Sequence, residues 1–370
     1  MAKRWDRVFF FAGEASGDAY AAALADALLH RGLNPRALEG VGGALFARRA
    51  ARMIADSRAW GAISIVESVK VGVSALRGVQ AARAALQTGP PGLFIPIDYG
   101  YVNVKLCRLA QACGWTVLYF IPPGSWKRPV QARDLPELTD AIVTPFSWSA
   151  EGLATAGAHV RWFGHPLRSL MRGRKAEGQA GAVAVLPGSR NHEIEANLPV
   201  MAEALRGWPG PIRIKVAPNL SVSEMQAIWN RAGGGLAEWM AESRAALDEA
   251  QVALVCSGTA TLECALIDLP TVVMYRGSKL MEVEYHVLKR LGWKPPTFFS
   301  LPNIFMNRAV VPEYLQHAAH PAALRDHLER LATPGPERDA QLADFAELRT
   351  TLGGEYAIES TADWIQNGLF

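Results

Sequence analysis

The sequence predicts an α/β protein built on parallel sheets, and three observations carry that expectation. Short β-branched or aromatic runs alternate with longer Ala/Leu/Arg-rich stretches, the runs end at Gly, Pro or Ser, and the whole cadence stops once and restarts. At 370 residues the chain is also about two domains long, taking roughly 150 residues for each. Its 50% hydrophobic and 20% charged residues are those of a globular protein, which excludes a disordered chain, a coiled coil and a collagen-like fibre.

In the first half the pattern predicts strands at Arg7–Phe11, Gly92–Ile97, Thr116–Phe120 and Ala141–Thr144, with helices such as Tyr20–His30 and Asn103–Cys113 between them. This is a Rossmann-like alternation. Residues Arg168 to Gly181, rich in Arg, Gly, Lys, Glu and Gln, have little to bury and read as a linker. Strands are then expected at Ala182–Leu186, Ile212–Val216, Val252–Cys256 and Thr271–Tyr275. The expected domains are 1–167 and 168–350, with 351–370 as a terminal segment. No repeat of 20 to 50 residues points to a solenoid.

Bulk properties narrow the function. Thirty-eight Lys+Arg against 35 Asp+Glu leave a net charge of +3, too little to argue for nucleic acid as a partner. Cys107, Cys113, Cys256 and Cys264 have spacings that match neither a zinc site nor a redox pair, and read as reduced core residues of a cytosolic protein. The charged start is followed by an apolar run (Val8 to Ala12) that Gly13-Glu14 cuts too early for a signal peptide, and no stretch reaches the roughly 18 apolar residues of a membrane span. No two Asp are separated by one residue and no His/Cys cluster forms, so no metal site is expected.

Four segments could carry chemistry. Phe9-Phe10-Phe11-Ala12-Gly13-Glu14-Ala15-Ser16-Gly17-Asp18 is a strand running into a glycine loop and a helix, a place where backbone can approach a sugar or phosphate. It lacks G-x-G-x-x-G, and its structural alternative is a plain strand-to-helix turn with Asp18 near a helix start. Leu186-Pro187-Gly188-Ser189-Arg190-Asn191-His192-Glu193 opens a helix after a strand, offering backbone N–H groups and an Arg to a diphosphate, or merely a helix cap by Ser189 or Asn191. Cys256-Ser257-Gly258-Thr259-Ala260-Thr261-Leu262-Glu263 places small and hydroxylated residues where a phosphate can be cradled. Glu263, about a turn into an apolar helix, suits ribose hydroxyls. Two such loops in one half suggest a nucleoside diphosphate. In Ile95-Pro96-Ile97-Asp98-Tyr99-Gly100-Tyr101-Val102-Asn103 an acid ends a strand, placed to act as general base on a hydroxyl or simply to cap a turn. His165, before Pro166, reads as structural. The stretch Trp60 to Arg77, apolar with bases and glycines, suits a core-facing amphipathic helix or one lying against lipid.

Taken together, these segments resemble lipid-A-disaccharide synthase, a glycosyltransferase family of the GT-B type. The resemblance rests on Ala12 to Asp18, Gly40-Val41-Gly42-Gly43, Ile63 to Glu67, Phe163-Gly164-His165-Pro166-Leu167, Leu186 to Arg190, Ser257 to Glu263, Leu301-Pro302-Asn303-Ile304 and Val311-Pro312-Glu313 to Gln316, in the family's order over almost the whole chain. It implies two Rossmann-like domains facing a cleft, with the segment 351–370 returning to the first. It implies an inverting transfer of 2,3-diacylglucosamine from UDP to lipid X (2,3-diacylglucosamine 1-phosphate). It also implies a monomer or homodimer at the cytoplasmic face of the inner membrane, touching lipid through Ile63 to Leu76, with the UDP-sugar as substrate and no cofactor.

Carried over residue by residue, Asp98 is the base for the acceptor 6-hydroxyl, with Glu14 and Ser16 of the first loop in the catalytic set. Gly188, Ser189, Arg190, Ser257, Gly258, Thr259, Ala260, Thr261 and Glu263 surround UDP, and Asn303, Glu313 and Gln316 line the donor side. The departures lie on the acceptor side. The second acid of the family's Asp-x-x-Asp-Phe-Asn is Tyr101 and its Phe is Val102, while Asn103 is kept. Ser-x-x-Trp-Ala-Trp-Arg is reduced to Pro123-Gly124-Ser125-Trp126-Lys127-Arg128, and the His-Gly or Tyr-Gly after the first loop is Tyr20-Ala21. Two alternatives therefore stay open: a UDP-sugar transferase with another acceptor, and a non-catalytic UDP-sugar binding protein.

Overall fold

The computed structural model describes residues 5–58, 60, 65–125, 127, 134–174, 178, 180–216, 220–241, 243–277, 297–367 and 369. The chain forms two compact units, Met1–Arg172 with Leu352–Phe370, and Gly173–Thr351.

The first unit holds a seven-stranded sheet of β1 (Val8–Ala12), β2 (Leu38–Gly42), β3 (Arg52–Asp56), β4 (Leu93–Ile97), β5 (Thr116–Phe120), β6 (Ala141–Val143) and β7 (Val160–Arg161). Their order is β3-β2-β1-β4-β5-β6-β7 and every pairing is parallel. Between them run α1 (Ala15–His30), α2 (Ala44–Ala47), α3 (Ile65–Gln87), α4 (Gly100–Ala112), α5 (Leu135–Leu138) and α6 (Ser147–Thr155), with α7 (Pro166–Met171) after β7. Helices on both faces explain why β1 reads as an unbroken apolar run in which every residue is buried. Phe9 and Phe11 join the core with Phe94, Trp115 and Tyr119, while Phe10 meets Phe46, ring centroids 5.1 Å apart.

Asp18, buried in α1, turns its carboxylate to the start of α2 and accepts from the N–H groups of Gly43 (2.7 Å), Leu45 (3.0 Å) and Phe46 (3.0 Å). The helix Ala357–Asn367 packs on α1, with Trp5 Nε1 donating to the Ile365 carbonyl (3.4 Å) and Arg31 paired to Asp363 (2.5 Å). Arg168 to Met171 lie in α7 rather than in a linker. His165 caps that helix by accepting from the Leu167 N–H (3.2 Å), and Pro166 supplies a preset first turn.

The second unit holds β8 (Val183–Leu186), β9 (Ile212–Lys215), β10 (Glu238–Met240), β11 (Val252–Cys256), β12 (Thr271–Tyr275) and β13 (Glu313–Leu315), ordered β10-β9-β8-β11-β12-β13 and again all parallel. Its helices include α8 (Asn191–Ala204), α9 (Val222–Arg231), α10 (Ser243–Asp248) and α11 (Thr259–Leu266), followed by Leu301–Met306, Pro321–Ala332 and Pro336–Thr351. Ile212, Ile214, Val252 and Leu254 pack under α8, α9 and the helix Pro321–Ala332.

Strands β2, β3, β7, β10 and β13 are absent from the sequence expectations. They are short, glycine-containing or partly exposed, so their composition lacks the apolar run that marks a central strand. Helix α1 begins five residues earlier than expected, because Ala15 to Ala19 already coil directly off the glycine loop. In both sheets the order reverses at the centre, between β1 and β4 and between β8 and β11. Such a switch point opens a crevice at the carboxyl ends of the strands, where ligands of open α/β sheets bind.

Candidate active site

The switch point of the first unit brings together Gly13 and Glu14, after β1, and Asp98, after β4. Asp98 and Tyr99 both adopt left-handed backbone (φ 46° and 53°) and Gly100 follows at 31°, an uncommon run for side-chain-bearing residues. Tyr99 stands at the start of α4 without a side-chain cap of its own, and the Asp98 carboxyl before it takes a hydrogen bond from the Tyr99 backbone N–H. The ring of Tyr99 lies over Gly13, where an added Cβ would fall 2.5 Å from the ring carbons, and completes an aromatic group with Phe11 and Trp60, each about 6.1 Å away. Only glycine permits that approach.

Asp98 is exposed at the surface, yet protein atoms around its carboxyl desolvate it. This desolvation first, and then the negative charge of Glu14, push its carboxyl up to about 6, with a hydrogen bond from the Tyr99 backbone pulling the other way. A carboxylate so tuned takes a proton more readily than an ordinary aspartate and is still ionised at neutral pH. Glu14 is exposed at the start of α1 and Ser16, the second residue of that helix, is half-buried. Tyr101 lies in the first turn of α4, and Val102 packs against the core. Ser125 is buried beside Pro122, whereas Trp126 and Arg128 lie outside the described residues. His165 is fully buried, and burial drives its imidazole down to about 3, which leaves it neutral and structural.

At the switch point of the second unit, Gly188 (φ 121°) and Gly258 (φ 156°) turn the chain from β8 and β11 into α8 and α11. The N–H groups of Ser189 and Arg190 do not stand open. Both donate to Oε2 of Glu193 (3.0 and 3.3 Å), whose other oxygen holds the Arg190 guanidinium at 2.9 Å. Glu193, three residues into the segment, thus closes the helix start itself. Ser257 donates to the Phe299 carbonyl (2.7 Å), while Gly258, Thr259 and Ala260 remain at least partly accessible. Glu263 is partly exposed on α11.

Four expected ligand residues have structural occupations. Thr261 is fully buried, its hydroxyl donating to the Gly258 carbonyl (2.7 Å) and accepting from the Leu301 N–H (3.3 Å). Asn303 is buried with both amide heteroatoms engaged: Oδ1 accepts from the N–H groups of Val310 (2.6 Å) and Val311 (2.8 Å), and Nδ2 donates to the Val311 carbonyl (2.9 Å). Glu313 accepts from the N–H groups of Phe299 (3.1 Å) and Ser300 (2.6 Å), ahead of the helix Leu301–Met306. Gln316 receives the Gly277 N–H at 3.3 Å.

Two cations at this edge escaped the sequence reading. Lys215 ends β9, where burial lowers its ammonium below the ordinary lysine value and Glu263 pulls it back up. Arg276 follows β12, its backbone N–H donating to Asn197 (2.8 Å) and its guanidinium to the Ala319 carbonyl (2.9 Å), while its buried Nε has no partner among the described residues. A charged residue immediately after a buried strand run was the available signal. Among the described residues no group of three or more His, Cys, Asp or Glu is placed to hold a metal ion.

An apolar groove of about 670 Å³ runs between β3 and α3, lined by Ile54, Ala55, Val73, Ser74, Arg77 and Gly78, among others. Leu76, 58% exposed, stands on the same helix. Residues 61–64, the first part of the expected lipid-facing stretch, lie outside the described residues. No helix among the described residues is long and apolar enough to cross a membrane.

Residues 8–344 match the family model for lipid-A-disaccharide synthetase. The lipid-A-disaccharide synthase of Myxococcus xanthus is 30% identical over 376 residues, covering 96% of each chain, and that of Alkalilimnicola ehrlichii is 32% identical over 369 residues, covering 94% of each. Among solved structures, the glycotransferase of kitacinnamycin superposes with a TM-score of 0.62 at 14% identity, covering 98% of this chain and 99% of that one. MurG of Acinetobacter baumannii does so with 0.57 at 13% identity, covering 97% and 99%. Two parallel-sheet Rossmann-like units with glycine loops at their switch points are the GT-B glycosyltransferase fold, and the molecule is an enzyme of that class. Within the class, the chain belongs to the lipid-A-disaccharide synthetase family.

Proposed function

We propose that this chain transfers 2,3-diacylglucosamine from UDP to the 6-hydroxyl of lipid X, with inversion at the anomeric carbon and without a metal ion. The observation that carries the reading is the carboxylate of Asp98, raised to about 6 beside Glu14 at the switch point of the first unit. In the step, the acceptor hydroxyl gives its proton to Asp98, its oxygen bonds to the anomeric carbon, and the bond to UDP breaks with the electron pair leaving on the diphosphate. The developing negative charge is met by Arg190, Lys215 and Arg276 and by the start of α11, where Gly258, Thr259 and Ala260 are accessible. Uptake of the diphosphate then requires Arg190 to exchange Glu193 for phosphate oxygens, a swap between two anions that leaves the guanidinium paired throughout.

The groove beside α3, with exposed Leu76 and Arg77, supports a peripheral contact with the cytoplasmic leaflet in which apolar side chains enter and the base meets anionic headgroups. The test is a mass-spectrometric transfer assay with UDP-2,3-diacylglucosamine and lipid X, without added metal, with Asp98→Asn as control. Disaccharide from the wild type alone supports the proposal. No product with UDP binding intact overturns it in favour of another acceptor, the reading that Tyr101 in place of the family acid favours.

A further inference from the structure

The turn that carries Asp98 is costly to hold, since two consecutive side-chain-bearing residues sit in left-handed backbone, and such strain persists only where the surroundings over-determine it. Two buried side chains do so here, and neither has been given a task in the site so far. Asn103, with no exposed surface, reaches back from α4 and donates from Nδ2 to the carbonyl of Asp98 (2.7 Å) and to that of Ile97 (3.1 Å). Tyr119, fully buried on the neighbouring strand β5, donates its hydroxyl to the same Asp98 carbonyl at 2.8 Å. The Asp98 N–H is held by the Phe120 carbonyl at 3.2 Å. Burial keeps the Tyr119 phenol well above its ordinary range, so it donates at every working pH. Both lone pairs of one carbonyl are therefore taken by side chains from two elements, an arrangement that neither the strand ladder nor the start of α4 requires.

We propose that Asn103 and Tyr119 are positioning residues for Asp98, locking the left-handed turn that holds its carboxylate beside Glu14 at the carboxyl edge of the sheet. The inference rests on Asp98 being the base. Asn103 has a backbone task that few side chains can perform. A glutamine is too long for the same two carbonyls, and an aspartate offers them acceptors instead of donors.

The experiment measures kcat, KM for UDP-2,3-diacylglucosamine and the pH profile of the full-length wild type, Asp98→Asn, Tyr119→Phe and Asn103→Ala. Tyr119→Phe keeps the buried ring and removes only the hydroxyl. It is expected to lower kcat roughly tenfold at unchanged KM, with the acid limb of the profile moving down from about 6 as the loosened carboxylate gains water. Asn103→Ala, losing two donors, is expected to fall by roughly a hundredfold. If Asn103→Ala does not fold, Tyr119→Phe decides alone. A Tyr119→Phe enzyme with wild-type kcat and an unmoved acid limb overturns the positioning role, while Asp98→Asn at wild-type rate overturns the reading of Asp98 on which it rests.

Discussion

The two switch points share one architecture and carry opposite chemistry. After β1 and β4 the chain presents carboxylates, Glu14 on ordinary extended backbone and Asp98 on a strained turn held by buried side chains. After β8 and β11 it presents glycines, hydroxyls and Arg190 on loops where the N–H groups of Ser189 and Arg190 are taken by Glu193 and the Ser257 hydroxyl by the Phe299 carbonyl. The comparison teaches that a doubly wound sheet fixes where a ligand binds but leaves to a few loop residues whether that place accepts a proton or holds an anion.

That contrast can be broken most strongly at Asp98. Asp98→Asn, which the left-handed backbone tolerates, should lower turnover by roughly two to four orders of magnitude with UDP affinity by calorimetry little changed. Equal loss of UDP binding would make Asp98 structural. At the other switch point, Arg190→Ala should raise KM for the UDP-sugar by roughly ten- to a hundredfold and leave the acid limb of the pH profile in place. A shifted acid limb would mean that the two sites do not divide the chemistry as described.

The pH dependence sharpens the comparison. Asp98 must be ionised to act, so kcat should fall as pH drops through about 6. Its raised value has the reverse sign for stability: the folded state favours the protonated carboxyl, and that contribution is lost as pH rises from the ordinary aspartate range through about 6. Asp98→Asn should therefore melt at a higher temperature than the wild type at pH 7, and the difference should vanish near pH 4. An unchanged midpoint at pH 7 would mean that the folded state does not disfavour the ionised Asp98 carboxylate.

Asn303→Ala separates structure from binding within the second unit. Stranding the N–H groups of Val310 and Val311 should destabilise that unit by about 2–4 kcal/mol in thermal unfolding while the KM for UDP-sugar stays within about twofold. A large rise in KM would return Asn303 to the donor side. The smallest effect is expected from Leu76→Glu, which should weaken sedimentation with anionic vesicles several-fold without altering turnover of detergent-dispersed substrate.

Central strands were legible because burial on both faces makes them continuous apolar runs, as in Val252 to Cys256 and Thr271 to Tyr275. Edge strands such as β3, with Arg52 and Asp56 exposed, carry no such mark. The expected boundary at 167/168 falls inside α7, whereas the compact units divide after Arg172, because a six-residue helix opened by Pro166 is too short for periodicity to reveal. The glycine loops and Asp98 could be found from strand-end position alone. Lys215 and Arg276 stand at strand ends too, but a lone cation there is common on any surface and does not by itself mark a site.

The sequence by itself determined the α/β class, the strand-to-loop junctions that hold the candidate residues and the family, because these depend on local composition and order. Only the tertiary structure decided which polar residues remain available to a ligand. Thr261, Asn303 and Glu313 are consumed by backbone groups brought to them from other segments, and Asp98 is raised toward neutrality by crowding and by Glu14, 84 residues earlier in the chain. Hydrogen-bond satisfaction and desolvation are properties of neighbours in space, and no local pattern encodes them.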